Sequence, residues 1–295
     1  MAIKILCIAG PTASGKSSRA VEEAFARNGE IISVDSRQVY RGLDIGTEKI
    51  TTEEMRGVPH HLIDIRDLAE SYSAGDFVAD ATRLIKEITA RGKLPILVGG
   101  THFYFDALIR GLPTHTAPNL QLRKELEKYS NEELFARIRE QDLRRAAELD
   151  PHNRRRLVRA LEIINSLGSV PPRSRYPQDV PIGPSCGYLI EWIVIDPPRE
   201  ELRKRIDARL KSALERGLID EVRRIREQID DRRLNELGLE YKIIGEFFNL
   251  EAEPPIGGSA SKWLLSTLSA KLWQYARRQK AWLRKLRAHN SKMDS

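Results

Sequence analysis

The stretch Ile3–Ser17 reads IKILCIAGPTASGKS, an apolar run followed by a loop in which two glycines enclose four residues, and then by Lys-Ser. A helical pattern comes directly after it. Strand, glycine loop and helix in this order form a P-loop, whose backbone N–H groups point inward at an anion. Lys16 and the positive helix end add charge, so the sequence predicts a site for a di- or triphosphate. The residues predicted to line it are Gly10, Pro11, Thr12, Ala13, Ser14, Gly15, Lys16 and Ser17.

The hydroxyl of Ser17 stands where P-loops place a Mg²⁺ ligand. We therefore predict Mg²⁺ as the cofactor, held by Ser17 and the phosphate oxygens. The loop alone leaves open whether the phosphate belongs to a nucleoside triphosphate or to another diphosphate that acts as a leaving group. A plain Gly/Ser turn with an exposed lysine is disfavoured, because both the spacing and the flanking elements match a P-loop.

Short apolar runs alternate with helical patterns over the first two thirds of the chain. β-branched runs separated by helices are typical of a parallel sheet with helices on both faces, so we predict the α/β fold class. Ser73 with Asp76 three residues later predicts a capped helix, which Gly92 ends. The predicted strands are Ile3–Ala9, Ile31–Val34, Leu62–Ile65, Leu94–Val98 and Leu189–Ile195.

A different pattern begins after the fourth predicted strand. From about Leu120 to Ser166 helices follow one another without a convincing strand, and Gly168–Gly187 contains five prolines. A helical block that ends in a Pro-rich connection is typical of an insertion. We predict a helical insertion domain at 116–187 and a P-loop core formed by 1–115 and 188–295.

The net charge of +7 is concentrated at one end of the 295 residues. Residues 262–295 hold nine Lys or Arg and one Asp or Glu, whereas residues 1–261 hold 40 and 41. This unevenness is typical of a polyanion-binding surface, although a solvated basic end shows it too. No apolar stretch is long enough to span a bilayer and Met1–Ala9 lacks a signal-peptide pattern, so we expect a cytoplasmic protein without membrane association. Cys7 and Cys186 are expected to be free thiols.

Polar residues follow two of the predicted strands, at the sheet edge where ligands of open parallel sheets bind. Asp35 comes directly after the second strand, where it could bind a metal, act as a general base or cap the next turn. Thr101 comes after the fourth strand and could reach the same anion through its hydroxyl. The adjacent His60 and His61 do not predict a metal site, because neighbouring residues on a strand point to opposite faces.

Two helical segments are basic. Arg155, Arg156 and Arg159 lie on neighbouring helical faces, which suits either a nucleic-acid backbone or a solvated face paired with acidic neighbours. Near the C-terminus, one predicted stripe lies close to Trp273 and Trp282 and suits RNA, whose phosphates and unstacked bases need both groups. The stripe consists of Arg277, Lys280, Arg284 and Arg287.

Several long motifs together resemble the tRNA dimethylallyltransferase family, in its bacterial form without an appended zinc finger. They are GPTASGKS (10–17), DSRQVY (35–40), DIGTEK (44–49), VPHHLID (58–64), YSAGDF (72–77), GKLPILVGGTHFY (92–104), RRLVRALE (155–162) and RRQKAWLR (277–284). The resemblance implies transfer of a dimethylallyl group from dimethylallyl diphosphate to N6 of the adenosine next to the tRNA anticodon, without ATP. It implies that the P-loop holds the leaving pyrophosphate, with Lys16, Thr101 and Arg205 as stabilisers and Asp35 as the base.

The resemblance also implies contacts with the anticodon stem-loop, and we expect a monomer. Gln38 would read an adenine edge. Two departures are Arg37, where the family usually has Met, and Leu237–Lys242, which would lie along the tRNA but replaces a more usual Val-Gly-Tyr-Arg ending. The implied tRNA contacts, together with the basic stripe, are Asp35, Ser36, Arg37, Gln38, Thr101, Arg123, Arg155, Arg156, Leu157, Val158 and Arg159.

Two other functions remain alternatives. An adenylate isopentenyltransferase that acts on free nucleotide would share the P-loop and Asp35, but the basic C-terminal stripe favours RNA. An RNA-associated P-loop NTPase or kinase would share only the loop. The sequence contains no Asn-Lys-x-Asp motif of the kind that reads a guanine base in regulatory GTPases.

Overall fold

A computed structural model describes residues 2–112, 116, 118–171, 187–250 and 259–290. Five parallel strands form one sheet with the order β3-β2-β4-β1-β5. The strands are β1 Ile3–Ala9, β2 Gly29–Val34, β3 His60–His61, β4 Leu94–Gly99 and β5 Tyr188–Val194. The helices are α1 Lys16–Arg27, α2 Thr52–Met55, α3 Ala74–Ala90, α4 His102–Arg110, α5 Leu120–Leu126, α6 Asn131–Gln141, α7 Leu143–Ala147, α8 Arg154–Leu167, α9 Arg199–Glu215, α10 Leu218–Arg226, α11 Asp231–Leu237, α12 Leu239–Leu250 and α13 Ser259–Asn290. The predicted α/β class is confirmed.

Strand β1 lies between β4 and β5 and is buried on both faces. Its side chains alternate between two apolar clusters, because successive residues of a strand point to opposite faces. Leu6 and Ile8 pack with α1, whereas Ile5 and Cys7 pack with α3, α4 and the helices after β5. The carboxyl end of β1 is thereby fixed inside the sheet, and the glycine loop leaves from that point. Cys7 is buried within the sheet, and Cys186 lies outside the described residues.

The third strand differs from the prediction. It is the two-residue segment His60–His61, paired with Ile31 and Ile32 of β2, and not Leu62–Ile65. Leu62 and Asp64 have φ angles of 63° and 55°, left-handed conformations that do not continue a strand. The chain instead turns toward Gln38, whose carbonyl accepts a hydrogen bond from Asp64 N at 3.1 Å. Leu62 is thus buried, and Ile63 and Ile65 are half-buried, without forming a strand.

The contacts divide the chain into two compact units. The first contains Met1–Ile109 with Ile182–Ser295, and the second Arg110–Pro181. Helices α5 to α8 of the second unit surround their own apolar cluster, which includes Leu134, Ile138 and Leu157. No strand occurs among the described residues 118–171, in agreement with the helical pattern there. Within the described part of the chain, no helix is both long and apolar enough to cross a membrane.

Candidate functional site

The loop between β1 and α1 has the backbone shape that its sequence predicts. Gly15 has φ 86° and ψ 15°, a left-handed conformation that glycine adopts without strain, and α1 starts directly after it. Lys16 turns back over the loop and donates a hydrogen bond to Pro11 O at 3.3 Å. The Oγ of Ser14 is buried and has no hydrogen-bond partner within the described residues. An unpaired buried hydroxyl in a glycine loop at the start of a helix suits an anionic ligand.

Lys16 is the half-buried cation of this loop. Its burial lowers the pKa from 10.5 to about 8, against the opposing effect of the Asp35 carboxylate, while the positive charge of Arg209 lowers the pKa further. A diphosphate in the loop would favour the charged form of this lysine. Lys16 and Asp35, predicted from separate strand ends, are therefore close enough to interact electrostatically.

Two arginines one turn apart on α9 contact the loop. Arg205, predicted as a stabiliser, donates from Nη1 to Ser14 O at 3.3 Å. Arg209 donates from Nη1 to Thr12 Oγ1 at 2.5 Å and lies 3.8 Å from Glu240. Arg209 is not among the residues that the motifs predict. The signal that could have found it is the i, i+4 spacing from Arg205, which places both side chains on one helix face.

Asp35 caps a turn with one of its oxygens. Oδ1 accepts hydrogen bonds from Arg37 N at 2.8 Å and from Gln38 N at 3.3 Å. Among the described residues no hydrogen bond reaches Oδ2. Thr101 supports the same turn, since its Oγ1 accepts from Ser36 N at 3.1 Å and its own N–H donates to Val34 O at 3.2 Å. Capping is thus observed, and it leaves the second oxygen for another role.

Gln38 is held by protein groups. Its Oε1 accepts from Ser33 Oγ at 3.1 Å, and its Nε2 donates to Thr47 O at 3.3 Å and to Glu48 O at 3.2 Å. In this arrangement the amide secures the loop at residues 44–48 against the Asp35 turn. Arg37 beside it is half-buried.

The loop at residues 44–46 is anchored by a carboxylate that the sequence analysis missed. Glu221 is 2 % exposed and accepts from Asp44 N and Ile45 N at 3.1 and 2.7 Å. Gly46 N, at 3.0 Å, and Tyr241 Oη, at 2.8 Å, donate to its other oxygen. Only the fold brings this glutamate to the loop, 175 residues away along the chain.

Helix α13 crosses the same sheet edge. Gln279 is 4 % exposed, accepts from Thr12 N at 2.9 Å and donates from Nε2 to Gly100 O at 2.9 Å. Lys280 next to it binds Asp196, two residues beyond β5, and Pro197 O at 2.8 Å. The helix predicted to contact RNA therefore also contacts the P-loop.

Residues 38–286 match the IPP transferase family. The chain belongs to this family. It is 40% identical over 288 residues to tRNA dimethylallyltransferase of Streptococcus sanguinis, which covers 96% of this chain and 90% of the relative. It is 38% identical over 291 residues to tRNA dimethylallyltransferase of Thermomicrobium roseum, and the match covers 96% of this chain and 84% of the relative. The resemblance found in the motifs is confirmed.

Solved structures agree. The tRNA isopentenylpyrophosphate transferase of Bacillus halodurans superimposes with a TM-score of 0.66 at 38% identity, covering 96% of this chain and 87% of that one. A eukaryotic dimethylallyltransferase, described as acting on tRNA, gives a TM-score of 0.75 at 28% identity. The match covers 95% of this chain and 69% of that one.

The basic stripe of this IPP transferase is less uniform than predicted. Arg277 and Arg284 are exposed, whereas Lys280 is half-buried on Asp196, and Arg287 Nη1 lies 3.3 Å from the same carboxylate. The two tryptophans are not free to stack on bases. Trp273 is 8 % exposed in the core, and the ring of Trp282 stacks on His102 with centroids 4.2 Å apart and donates to Asp106 at 2.9 Å. The prediction that these aromatics face RNA is wrong, because the fold uses them for packing.

The second unit of the IPP transferase corrects one predicted contact. The side chain of Leu157 is fully buried in the apolar cluster of that unit, so it offers no surface to tRNA. Val158 is half-buried against the same cluster. Arg155 and Arg156 are exposed.

Arg123 and Arg159 share one carboxylate in the same unit. They bind Glu162, whose side chain is fully buried, at 2.7 and 3.1 Å. Burial alone would raise the pKa of Glu162, but the hydrogen bonds from Arg123, Asn119 N and Arg159 lower it below the ordinary value. The ion-paired alternative therefore describes Arg159, and Arg123 is paired in the same way; any contact with tRNA comes in addition.

The segment Leu237–Lys242 is partly interior. Leu237 and Tyr241 are fully buried, and Glu240 is half-buried beside Arg209, where desolvation raises the pKa of its carboxyl. Lys242 is exposed, with Nζ 3.6 Å from Glu246. Lys242 is the exposed residue of this segment and 238–240 are half-buried, so the predicted contact with tRNA would fall mainly on the lysine end.

No group of three or more His, Cys, Asp or Glu suited to a metal occurs in the part of the chain that the structure describes. His60 Nδ1 pairs with Val58 O and His61 Nε2 with Glu30, both at 2.8 Å, as two separate structural contacts. A metal at the P-loop would therefore be held by the Ser17 hydroxyl and by oxygens of the substrate.

Proposed function

We propose that this chain transfers the dimethylallyl group of dimethylallyl diphosphate to N6 of the adenosine next to the tRNA anticodon, releasing pyrophosphate. Membership of the IPP transferase family makes the chain a tRNA-modifying prenyltransferase. The observation that carries the finer proposal is the pairing of two groups at one sheet edge: the P-loop with Lys16, and the Asp35 turn.

The reaction needs a nucleophile freed of one proton. The N6 amine is a weak nucleophile because its lone pair is delocalised into the purine. Its lone pair forms a bond to C1 of the dimethylallyl group, the C1–O bond breaks, and the diphosphate departs with the bonding electrons. The N6 proton passes to Asp35, for which Oδ2 is suited because Oδ1 is engaged with the turn.

Negative charge grows on the leaving diphosphate during this step. Lys16, Arg205 and Arg209 bring three cationic groups to the loop, and the N-terminus of α1 adds a fixed dipole. The loop geometry, the unpaired Ser14 hydroxyl and the half-buried Ser17 on the first turn of α1 suit a diphosphate with Mg²⁺. When bound, Mg²⁺ would neutralise diphosphate charge, with Ser17 as its ligand from the chain. Thr101 orients the Asp35 turn through Ser36 N.

We further propose that the chain acts as a monomer, in which the insertion at 116–187 contacts the tRNA. Exposed Arg155 and Arg156, together with Arg277 and Arg284 on α13, are the cations best placed to bind phosphates. The compact unit Arg110–Pro181 supports these domain limits. The target adenosine leaves its stack to reach the sheet edge, as base-modifying enzymes require.

The test is mass spectrometry of tRNA nucleosides after incubation with the protein, Mg²⁺ and dimethylallyl diphosphate. We expect a mass gain of one dimethylallyl group on an adenosine next to the anticodon, without ATP. Pyrophosphate should compete with the prenyl donor. Transfer to free AMP in place of tRNA would favour the adenylate isopentenyltransferase alternative, and tRNA-stimulated ATP hydrolysis without transfer would contradict the proposal.

A further inference from the structure

One buried side chain joins the two halves of the proposed site. Gln279 lies on α13, 267 residues from Thr12, yet its Oε1 accepts the Thr12 N–H of the P-loop at 2.9 Å. Its Nε2 donates to Gly100 O at 2.9 Å. With 4 % of its surface exposed, the amide is held in a fixed orientation, because each end has a backbone partner of the opposite kind.

The two backbone partners of Gln279 lie next to groups proposed to take part in the reaction. The Thr12 hydroxyl also accepts a hydrogen bond from Arg209, within the loop proposed to hold the leaving diphosphate. Gly100 precedes Thr101, whose Oγ1 accepts from Ser36 N in the Asp35 turn. A single amide thereby connects the leaving-group loop with the turn that carries the base, and it does so from the helix that also bears Arg277 and Arg284.

We propose that Gln279 is a positioning residue that sets the separation between the donor diphosphate and Asp35. This inference rests on the proposed prenyl transfer. In-line displacement needs N6, C1 and the leaving oxygen in near-attack geometry, and small misplacements cost large factors in rate. Loss of the amide should therefore lower the rate of the chemical step more than the affinity for either substrate.

The packing around Gly100 offers an independent way to disturb the same contact. A Cβ at position 100 would stand 2.6 Å from Gln279 Nε2, and the next neighbour, Gly10 O, is 3.7 Å away. Gly100→Ala therefore acts by displacing Gln279. In a chain with Ala at position 279, the added methyl has nothing to displace.

The experiment is a double-mutant cycle on the single-turnover rate of prenyl transfer at saturating tRNA and donor. It compares wild type, Gln279→Ala, Gly100→Ala and the double variant. Both single variants should be at least about tenfold slower, with tRNA and pyrophosphate dissociation constants within about threefold of wild type. In the Gln279→Ala background, Gly100→Ala should cost less than about threefold. The matched control is Gln274→Ala, an exposed glutamine of the same helix, which should keep the wild-type rate.

Each outcome decides between interpretations. Additive losses in the cycle, or a Gln279→Ala rate equal to that of Gln274→Ala, would overturn the positioning role. A loss confined to melting temperature or to tRNA affinity, with an unchanged rate in the folded complex, would also overturn it. Failure of the proposed function itself is separate, because wild type would then yield no prenylated tRNA in the same assay.

Discussion

Asp35 shows how one carboxylate combines a structural and a chemical role at the residue scale. Its Oδ1 holds the turn by accepting from Arg37 N and Gln38 N. Asparagine preserves that acceptor but cannot take a proton, whereas alanine removes both functions. We expect Asp35→Asn to lower single-turnover prenyl transfer by about a hundredfold or more while the melting temperature and tRNA affinity stay close to wild type.

Asp35→Ala is the matched comparison for that variant. It should lose a similar factor in rate and, in addition, about 1 kcal/mol of stability from the lost turn cap. Near wild-type turnover in Asp35→Asn would show that the carboxylate serves only as a cap, and another base would then be required.

The lowered pKa of Lys16 predicts that kcat/KM depends on pH. Burial lowers its pKa to about 8, so in the enzyme without donor the cationic form is complete only below that pH. Because the diphosphate needs the cation, kcat/KM for dimethylallyl diphosphate should fall as the pH rises through about 8. Lys16→Arg keeps its charge over this range and should lack this decline, although its absolute rate is lower. If kcat/KM of Lys16→Arg declines with the same midpoint, the decline belongs to a group other than Lys16.

His102 should not contribute to that profile. Burial, with a smaller effect of Lys16, lowers its pKa to about 4, so the ring is neutral throughout the working range. Its stacking on Trp282 is the contact that explains its place at the start of α4.

At the scale of elements, α13 combines packing, support of the P-loop and a basic surface. Its exposed Arg277 and Arg284 are free to release counterions on binding RNA, whereas Lys280 and Arg287 are already paired with Asp196. Replacing Arg277 and Arg284 by Gln should reduce the log–log salt slope of tRNA binding by about one unit per lost phosphate contact.

The matched pair Lys280→Gln and Arg287→Gln should change that slope less. The measurement is a fluorescence titration with tRNA at several salt concentrations. Equal slopes for wild type and the Arg277/Arg284 variant would identify the exposed arginines as a solvated face, and RNA binding would then depend on other cations.

The same helix shows what the sequence could predict and what it could not. Helical spacing correctly indicated an amphipathic helix with basic positions, since periodicity is a local property. Which cations remain exposed depends on partners such as Asp196, 84 residues from Lys280, and local patterns do not carry that information. Gln279 and Glu221 escaped notice for the same reason, because each acts through contacts distant in sequence. The P-loop and the Asp35 turn were predictable, since the glycine spacing and the Asp35 cap are local in sequence. The contacts of Gln279 and Thr101 with these two segments come from distant positions and were not.

Over the whole molecule, the proposed site and a buried ion-pair network around Glu30 lie at opposite edges of the sheet. The proposed site lies at the carboxyl ends of the strands, whereas Glu30 lies near the amino end of β2, 3 % exposed. Its carboxylate forms hydrogen bonds with Arg91 and His61 at 2.6 and 2.8 Å and an ion pair with Lys93 at 3.1 Å. Burial alone would raise the pKa of Glu30, but these hydrogen bonds lower it from 4.5 to about 2.

Folding lowers the pKa of this carboxyl. Such a group stabilises the folded state fully when the pH is above its pKa in the unfolded chain. That contribution is lost as the pH falls through its pKa in the folded chain. For Glu30 the window runs from pH about 4.5 down to about 2, and the contribution at neutral pH is on the order of 3 kcal/mol. Glu30→Gln should lower the melting temperature by several degrees at pH 7 and less at pH 3, so the two melting curves converge in acid. The exposed Glu22→Gln is the control and should show no such convergence. Single-turnover prenyl transfer at 25 °C should stay within about twofold of wild type, because the network lies at the edge away from the P-loop. An equal loss of melting temperature at both pH values would show that Glu30 contributes through packing and not through its charge.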